Sequence, residues 1–118
     1  MKTVFIIDDD KDIREVMTYV LESEGYKTHL FSDAMTAYEN LVSCKDLPDA
    51  IILDYMMPGM NGVEFLNRIS DLSQEIQEIP IAFSSRMGSV EGLQGNSNVT
   101  ILSKPIDLEQ LFNFLSNC

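Results

Sequence analysis

Several residue types are scarce in this chain of 118 residues, which contains no tryptophan, one histidine and two cysteines. The cysteines, Cys44 and Cys118, lack metal-ligand spacing and are too few for a disulfide framework, so we expect free thiols in a reducing compartment. The first apolar run, Val4–Ile7, is too short for a signal peptide or a membrane span. We therefore expect a cytoplasmic protein without membrane insertion.

Positive charge is also scarce, with 8 basic residues against 19 acidic ones and a net charge of −11. Such a chain is repelled by nucleic acids and anionic membranes, and it favours cations or basic protein surfaces. Hydrophobic residues make up 45% of the sequence, which is typical of a folded globular domain. We expect residues 1–118 to form one domain with no output domain.

Short apolar runs alternate with segments of helical periodicity. The pattern predicts an α/β fold, in which a five-stranded parallel sheet is doubly wound and helices cover both faces. The predicted strands are Val4–Ile7, Lys27–Phe31, Ala50–Leu53, Ile81–Ser84 and Val99–Leu102. Periodicity also predicts that Val16, Val42 and Leu108 face inward from their helices.

Helix ends are marked by capping residues. Asp10 and Asp107 are predicted N-caps, either Ser32 or Asp33 caps the second helix, and Gly25 ends the first. In residues 88–98, seven of eleven positions are Gly, Ser or Asn where alternation calls for a helix. Because Gly disfavours helix, we predict a short or frayed element there.

Charged residues follow three of the predicted strands: Asp8 with Asp9, then Asp54, then Lys104. The carboxyl ends of parallel strands share one edge of the sheet, where such folds bind ligands. Crowded carboxylates repel one another and call for a divalent cation. The sequence thus predicts a magnesium site that handles an anionic substrate.

Asp54 is the best candidate nucleophile, since a carboxylate can attack a phosphoryl group and form an acyl phosphate. Such a transfer depends mainly on neutralising charge, which Lys104 and a Mg²⁺ ion held by Asp8, Asp9 and Asp54 can supply. The hydroxyl of Ser84 or Ser85, at the end of the fourth strand, can bind another phosphoryl oxygen. The single histidine, His29, alternates within a strand and is predicted to be a structural or surface residue.

Three segments, VFIIDDDKDIREVM, AIILDYMMPGMNGVEFL and ILSKPIDLEQL, resemble the signature segments of response-regulator receiver domains of two-component signal transduction. The resemblance covers essentially the whole chain. It implies the flavodoxin-like strand order 2-1-3-4-5 and Mg²⁺-dependent phosphorylation of Asp54 by a phosphohistidine, with Mn²⁺ as an alternative ion. It also implies that Asp9 binds the metal directly, Asp8 partly through water, and Met56 through its backbone carbonyl.

The sequence departs from the receiver pattern at two places. Counting from Pro80, the usual switch hydroxyl corresponds to Ser85 and is followed by Arg86 rather than a small residue; a shift by one makes it Ser84. We favour Ser85. On the fifth strand, Ile101 replaces the aromatic residue that commonly reports phosphorylation.

The leading hypothesis is a phosphoacceptor domain that catalyses its own phosphorylation and slow dephosphorylation. Its expected partners are a sensor histidine kinase or a histidine phosphotransfer protein, together with a downstream protein target, or a second histidine if it is a phosphorelay intermediate. The alternative is a receiver fold that has lost switching and binds partners constitutively. A flavin carrier is disfavoured, because acids occupy the loop where a phosphate cradle needs Gly, Ser or Thr.

Overall fold

Five parallel strands form a single sheet in the computed structural model. The model describes residues 2–43, 47–54, 59–60, 62–85, 99–103 and 107–116, and at Ser85 and Ser103 the backbone alone. The strands are β1 (Thr3–Ile7), β2 (Lys27–Phe31), β3 (Ala50–Asp54), β4 (Ile81–Ser85) and β5 (Val99–Ser103). Each predicted strand is confirmed, with its ends displaced by one residue at most.

The strand order is β2-β1-β3-β4-β5, and every neighbouring pair is parallel. This confirms the flavodoxin-like order. The order places β3 in the middle of the sheet, between β1 and β4. Asp54, the last residue of β3, therefore lies at the centre of the carboxyl-terminal edge.

The described residues include five helices: α1 (Lys11–Ser23), α2 (Ala34–Ser43), α3 (Gly62–Ile69), α4 (Gln74–Gln77) and α5 (Leu108–Ser116). The one-turn helix α4 precedes β4 and was not predicted. The segment 88–98, where we predict a short or frayed element, lies outside the described residues.

The predicted caps hold the helix ends. The Asp10 carboxylate accepts hydrogen bonds from the backbone of α1, Asp107 does the same for α5, and Asp33 rather than Ser32 accepts one from Thr36 N–H at 2.7 Å. Gly25, with a φ of 89°, ends α1. These interactions span at most a few residues, which explains why they are predictable.

The hydrophobic core lies on both faces of the sheet. On one face, the β1, β3 and β4 side chains of odd number, such as Phe83, pack against α2 and α3. On the other face, those of even number, such as Ala82, pack against α1 and α5. Side chains of successive strand residues alternate between faces, so Asp54 and Ser84 share the face covered by α1 and α5.

Three side chains predicted to face inward are exposed instead: Val16 (60%), Val42 (55%) and Leu108 (46%). In α1, α2 and α5 the buried face is narrower than the apolar stripe of the sequence, because the sheet covers only the centre of that stripe. In α1, for example, Met17 and Leu21 are buried. None of the helices in the described ranges is long and apolar enough to cross a membrane.

Candidate functional site

Three carboxylates converge at the edge of the sheet, as the sequence predicts. Asp8 and Asp9 follow β1, and Asp54 ends the neighbouring strand β3. Their ligand atoms all lie within 4.8 Å of one another. Asp8 and Asp54 are buried, with 3% and 5% of their surface exposed, whereas Asp9 is exposed.

The loop between β1 and α1 is shaped by its own backbone hydrogen bonds. Asp8 Oδ1 accepts a hydrogen bond from Asp10 N–H at 2.9 Å. Asp10 in turn caps α1, its Oδ1 accepting from Asp12 N–H at 2.9 Å and from Ile13 N–H at 3.4 Å. Asp10 is therefore a cap, and the carboxylates that turn toward one another are those of Asp8, Asp9 and Asp54.

Arg14 ties the first turn of α1 back to the strand end. Its Nη1 donates a hydrogen bond to the backbone carbonyl of Asp8 at 2.6 Å, while the N–H of Asp8 donates to the carbonyl of Phe31 on β2 at 3.1 Å. Both backbone groups of Asp8 are thus held. The sequence interpretation assigned Arg14 no role, although its position one turn after the Asp10 cap is a usable signal.

The donor set suits a hard divalent cation. Carboxylate oxygens are the ligands that Mg²⁺ and Mn²⁺ prefer, and the three oxygens lie close enough to share one ion. Burial of two of the three makes their mutual repulsion stronger than it would be in water. A cation at this point neutralises that repulsion, so the residues present fit the predicted metal.

On the other side of Asp54, β4 brings a hydroxyl group alongside. Asp54 and Ser84 are paired in register, so the two side chains are neighbours on the same face of the sheet. Ser84 is 1% exposed, and its Oγ has no hydrogen-bond partner among the described residues. Ser85 is the last residue of β4, one position further out than Asp54.

Several predicted site residues fall outside the part of the chain that the structure describes. They are Met56, Lys104, Arg86 and the side chain of Ser85, and their predicted roles remain predictions. His29 is a surface residue, as predicted: it is exposed, and its ring meets Phe5 edge-on, with 5.6 Å between centroids.

Helix α3 approaches β4 closely because its first residue, Gly62, has no side chain. Gly62 begins α3, and a Cβ added to it would overlap Cε1 of Phe83 and lie 2.9 Å from Cδ1. Phe83, fully buried, comes immediately before Ser84. The close approach of Gly62 thus couples the start of α3 to the strand that borders Asp54.

The sequence also matches a family model over residues 4–116, and that model describes the response regulator receiver domain. The chain belongs to this family. Its sheet order and acidic cluster are therefore features of a receiver domain.

Among related sequences, the receiver domain is 27% identical over 108 residues to sporulation initiation phosphotransferase F of Bacillus subtilis (strain 168), covering 92% of this chain and 86% of that protein. It is 32% identical over 109 residues to the response regulator MprA of Mycobacterium ulcerans (strain Agy99). That match covers 92% of this chain but 46% of MprA, so the receiver domain spans about half the length of that relative.

Solved structures of receiver domains superpose closely. The chemotaxis protein CheY4 of Vibrio cholerae matches with a TM-score of 0.85 at 26% identity, over 99% of this chain and 98% of its own. The receiver domain of the Francisella response regulator 1452 matches with a TM-score of 0.83 at 27% identity, over 98% of this chain and 94% of its own.

Proposed function

We propose that this receiver domain accepts a phosphoryl group on Asp54 from a phosphohistidine of a partner protein, in a Mg²⁺-dependent reaction. The observation that carries the proposal is the convergence of the Asp8, Asp9 and Asp54 oxygens within 4.8 Å at the end of the central strand. Family membership supports the same assignment.

In the proposed transfer, an Oδ of Asp54 attacks the phosphorus atom and forms the acyl phosphate. The P–N bond of phosphohistidine breaks, and its electron pair remains on the imidazole nitrogen, which takes up a proton. In the slow dephosphorylation, water attacks phosphorus and the bond between phosphorus and the Asp54 oxygen breaks with its electron pair remaining on that oxygen. The products are the Asp54 carboxylate, inorganic phosphate and a proton from the attacking water. The domain supplies the nucleophile and the geometry, because such transfers need positioning and charge neutralisation above all.

The neighbouring residues have separate tasks. Asp9 would hold Mg²⁺ directly, Asp8 partly through water, and Asp54 and the Met56 carbonyl would be further ligands; Mn²⁺ is the alternative ion. When bound, the ion neutralises negative charge on the carboxylates and the phosphoryl oxygens. Lys104 contributes a positive charge to one phosphoryl oxygen, and Ser85 donates a hydrogen bond to another.

The proposed partners follow from this chemistry. A sensor histidine kinase or a histidine phosphotransfer protein is the donor, and a downstream protein, or a second histidine in a phosphorelay, receives the signal. The relative named as a phosphotransferase supports the relay version. We place the protein in the cytoplasm, because response regulators are typically cytoplasmic. The net charge of −11 disfavours nucleic acid as a direct ligand.

The test is incubation with Mg²⁺ and acetyl phosphate, followed by intact-protein mass spectrometry. We expect a mass gain of one phosphoryl group in the wild type and none in Asp54→Asn. Asp71→Asn is the matched control, because this substitution also removes one negative charge. Asp71 is an exposed carboxylate beyond the C-terminal end of α3. If the wild type binds Mg²⁺ but gains no mass, the proposal is wrong.

The alternative, a non-switching interaction module, is favoured by one observation. Ile101 on β5 is partly buried and packs against the core cluster that contains Phe83. An aliphatic side chain at this position cannot make the change between inward and outward rotamers by which an aromatic residue there commonly reports phosphorylation. Backbone amide chemical shifts recorded before and after phosphorylation separate the two functions. A switch shifts amides of β4, β5 and α5, whereas a non-switching module shifts only those beside Asp54.

A further inference from the structure

Ser84 holds a hydroxyl group that the proposed function leaves unused. Its side chain is 1% exposed, and its Oγ has no hydrogen-bond partner among the described residues. A buried hydroxyl that loses its water without gaining a partner is unfavourable. Such a group in a native structure calls for an explanation.

The location of Ser84 supplies the candidate acceptor. It pairs in register with Asp54 on β3 and with Leu102 on β5. Leu102 is apolar and buried, so Asp54 is the polar one of these two neighbours. Adjacent strands lie about 4.8 Å apart, a separation that a serine hydroxyl and an aspartyl oxygen on the same face can span with a hydrogen bond.

Asp54 therefore lies between two different environments at the sheet edge. Toward β1 it meets the carboxylates of Asp8 and Asp9, and toward β4 its register partner is Ser84. Asp54 has other interactions in the unphosphorylated protein. Phosphorylation bonds one of its oxygens to phosphorus, and the acyl group must then settle into a new arrangement.

We propose that the Ser84 hydroxyl donates a hydrogen bond to the acyl oxygen of phosphorylated Asp54, the carboxyl oxygen not bonded to phosphorus. The inference rests on the proposed function, and Ser84 is a second hydroxyl in addition to Ser85. Ser84 is level with Asp54 in the sheet, whereas Ser85 is one position further along β4. A hydroxyl that has no hydrogen-bond partner in the unphosphorylated protein and gains one on phosphorylation stabilises the phosphorylated state.

The test uses beryllofluoride, which binds an aspartate oxygen in the presence of Mg²⁺ and mimics the phosphoryl group. We expect Ser84→Ala to bind beryllofluoride about tenfold more weakly than the wild type. We also expect Mg²⁺ affinity without beryllofluoride to be unchanged and the thermal midpoint of the unliganded protein to be no lower. Loss of affinity without loss of stability distinguishes a hydrogen bond in the loaded state from a structural role.

A matched pair controls for shape. Ser84→Thr keeps the hydroxyl and Ser84→Val replaces it with a methyl group of similar size, so we expect Thr to bind beryllofluoride more tightly than Val by about the same factor. If the added methyl group prevents the Thr and Val variants from folding, the comparison of beryllofluoride affinity between the wild type and Ser84→Ala decides. Equal affinities in the wild type and Ser84→Ala, or in the Thr and Val variants, would overturn the inference.

Failure of this inference is distinguishable from failure of the proposed function. A wild type that gains no phosphoryl mass refutes the proposed function, whereas a wild type that gains it with Ser84→Ala unaffected refutes only the role of Ser84. Ser85→Ala separates the two hydroxyls. If Ser85→Ala leaves beryllofluoride binding intact and Ser84→Ala abolishes the conformational response, Ser84 is the switch hydroxyl and not a second donor.

Discussion

Arg14 Nη1 and the backbone carbonyl oxygen of Asp8 lie 2.6 Å apart, so a side chain of α1 holds the strand end that carries the acidic cluster. A single hydrogen bond contributes about 1 kcal/mol. The contact restrains the backbone at Asp8, where the acidic cluster begins. Preorganisation of this kind lowers the cost of binding an ion.

We expect Arg14→Met to bind Mg²⁺ roughly fivefold more weakly than Lys11→Met, because the first loses the anchor of Asp8 and the second does not. Both variants remove one positive charge from the start of α1, and Lys11 contacts only Glu15 in the described ion pairs, at 3.7 Å. Isothermal titration calorimetry at matched ionic strength measures the ratio. Equal affinities would mean that Arg14 contributes charge alone.

Magnesium should stabilise the fold. At a Mg²⁺ concentration about 100-fold above Kd, the free energy of unfolding should rise by about 2.7 kcal/mol. Asp8→Asn should reduce Mg²⁺ affinity by about 10- to 100-fold, as expected for a ligand acting partly through water, while the metal-free variant gains stability because one of the clustered carboxylates is neutralised. Urea denaturation with and without Mg²⁺ measures both effects. A metal-free Asp8→Asn protein less stable than the wild type would contradict the idea that these carboxylates repel.

Gly62→Ala should destabilise the domain by roughly 1–3 kcal/mol, because the new Cβ forces the buried ring of Phe83 to move. The midpoint of urea unfolding is the measurement. Phe83→Leu provides the control, since a smaller side chain leaves room for the methyl group. The double variant should lose less than the sum of the single losses; strict additivity would show that the two positions do not interact.

Asp33 should make stability depend on pH in the acidic range. The hydrogen bond from Thr36 N–H is the main cause that lowers the pKa of Asp33. Because the folded pKa lies below the unfolded value of about 3.9, the ionised carboxylate contributes stability that is present above that value and is lost as pH falls through the folded pKa.

The matched variants are Asp33→Asn, which keeps a capping oxygen, and Asp33→Ala, which removes it. We expect Asp33→Ala to lower the free energy of unfolding at pH 7 by about 1 kcal/mol, because the cap is lost. We expect the difference in unfolding free energy between wild type and Asp33→Asn to diminish as pH is lowered below about 4. A difference that stays constant from pH 3 to pH 7 would exclude a stabilising charge at this helix end.

Local signals in the sequence were enough for much of the architecture. Four of the five strands coincide with apolar runs, β2 was predicted as well, and the caps Asp10, Gly25 and Asp107 were predicted from residue type and position at the helix ends. These features depend on interactions within a few residues, which a single segment carries with it. The convergence of Asp8, Asp9 and Asp54 was also predictable, because parallel strands present their carboxyl ends at a common edge.

Side-chain burial was less predictable. Val16, Val42 and Leu108 belong to apolar helical stripes yet remain exposed, because periodicity gives the direction of a face but not how much of it the sheet covers. Arg14 was overlooked for a similar reason: its acceptor is a backbone carbonyl, and no residue type marks such a group.

By itself, the sequence determined the chemistry of this protein: which strands end in carboxylates, which residue can act as a nucleophile, and which side chains cap the helices. Only the tertiary structure decided that Arg14 anchors Asp8 and that the hydroxyl of Ser84 lies alongside Asp54. The physical reason is that strand register and face are collective properties of the sheet, since a slip of one residue would turn every side chain of β4 to the opposite side.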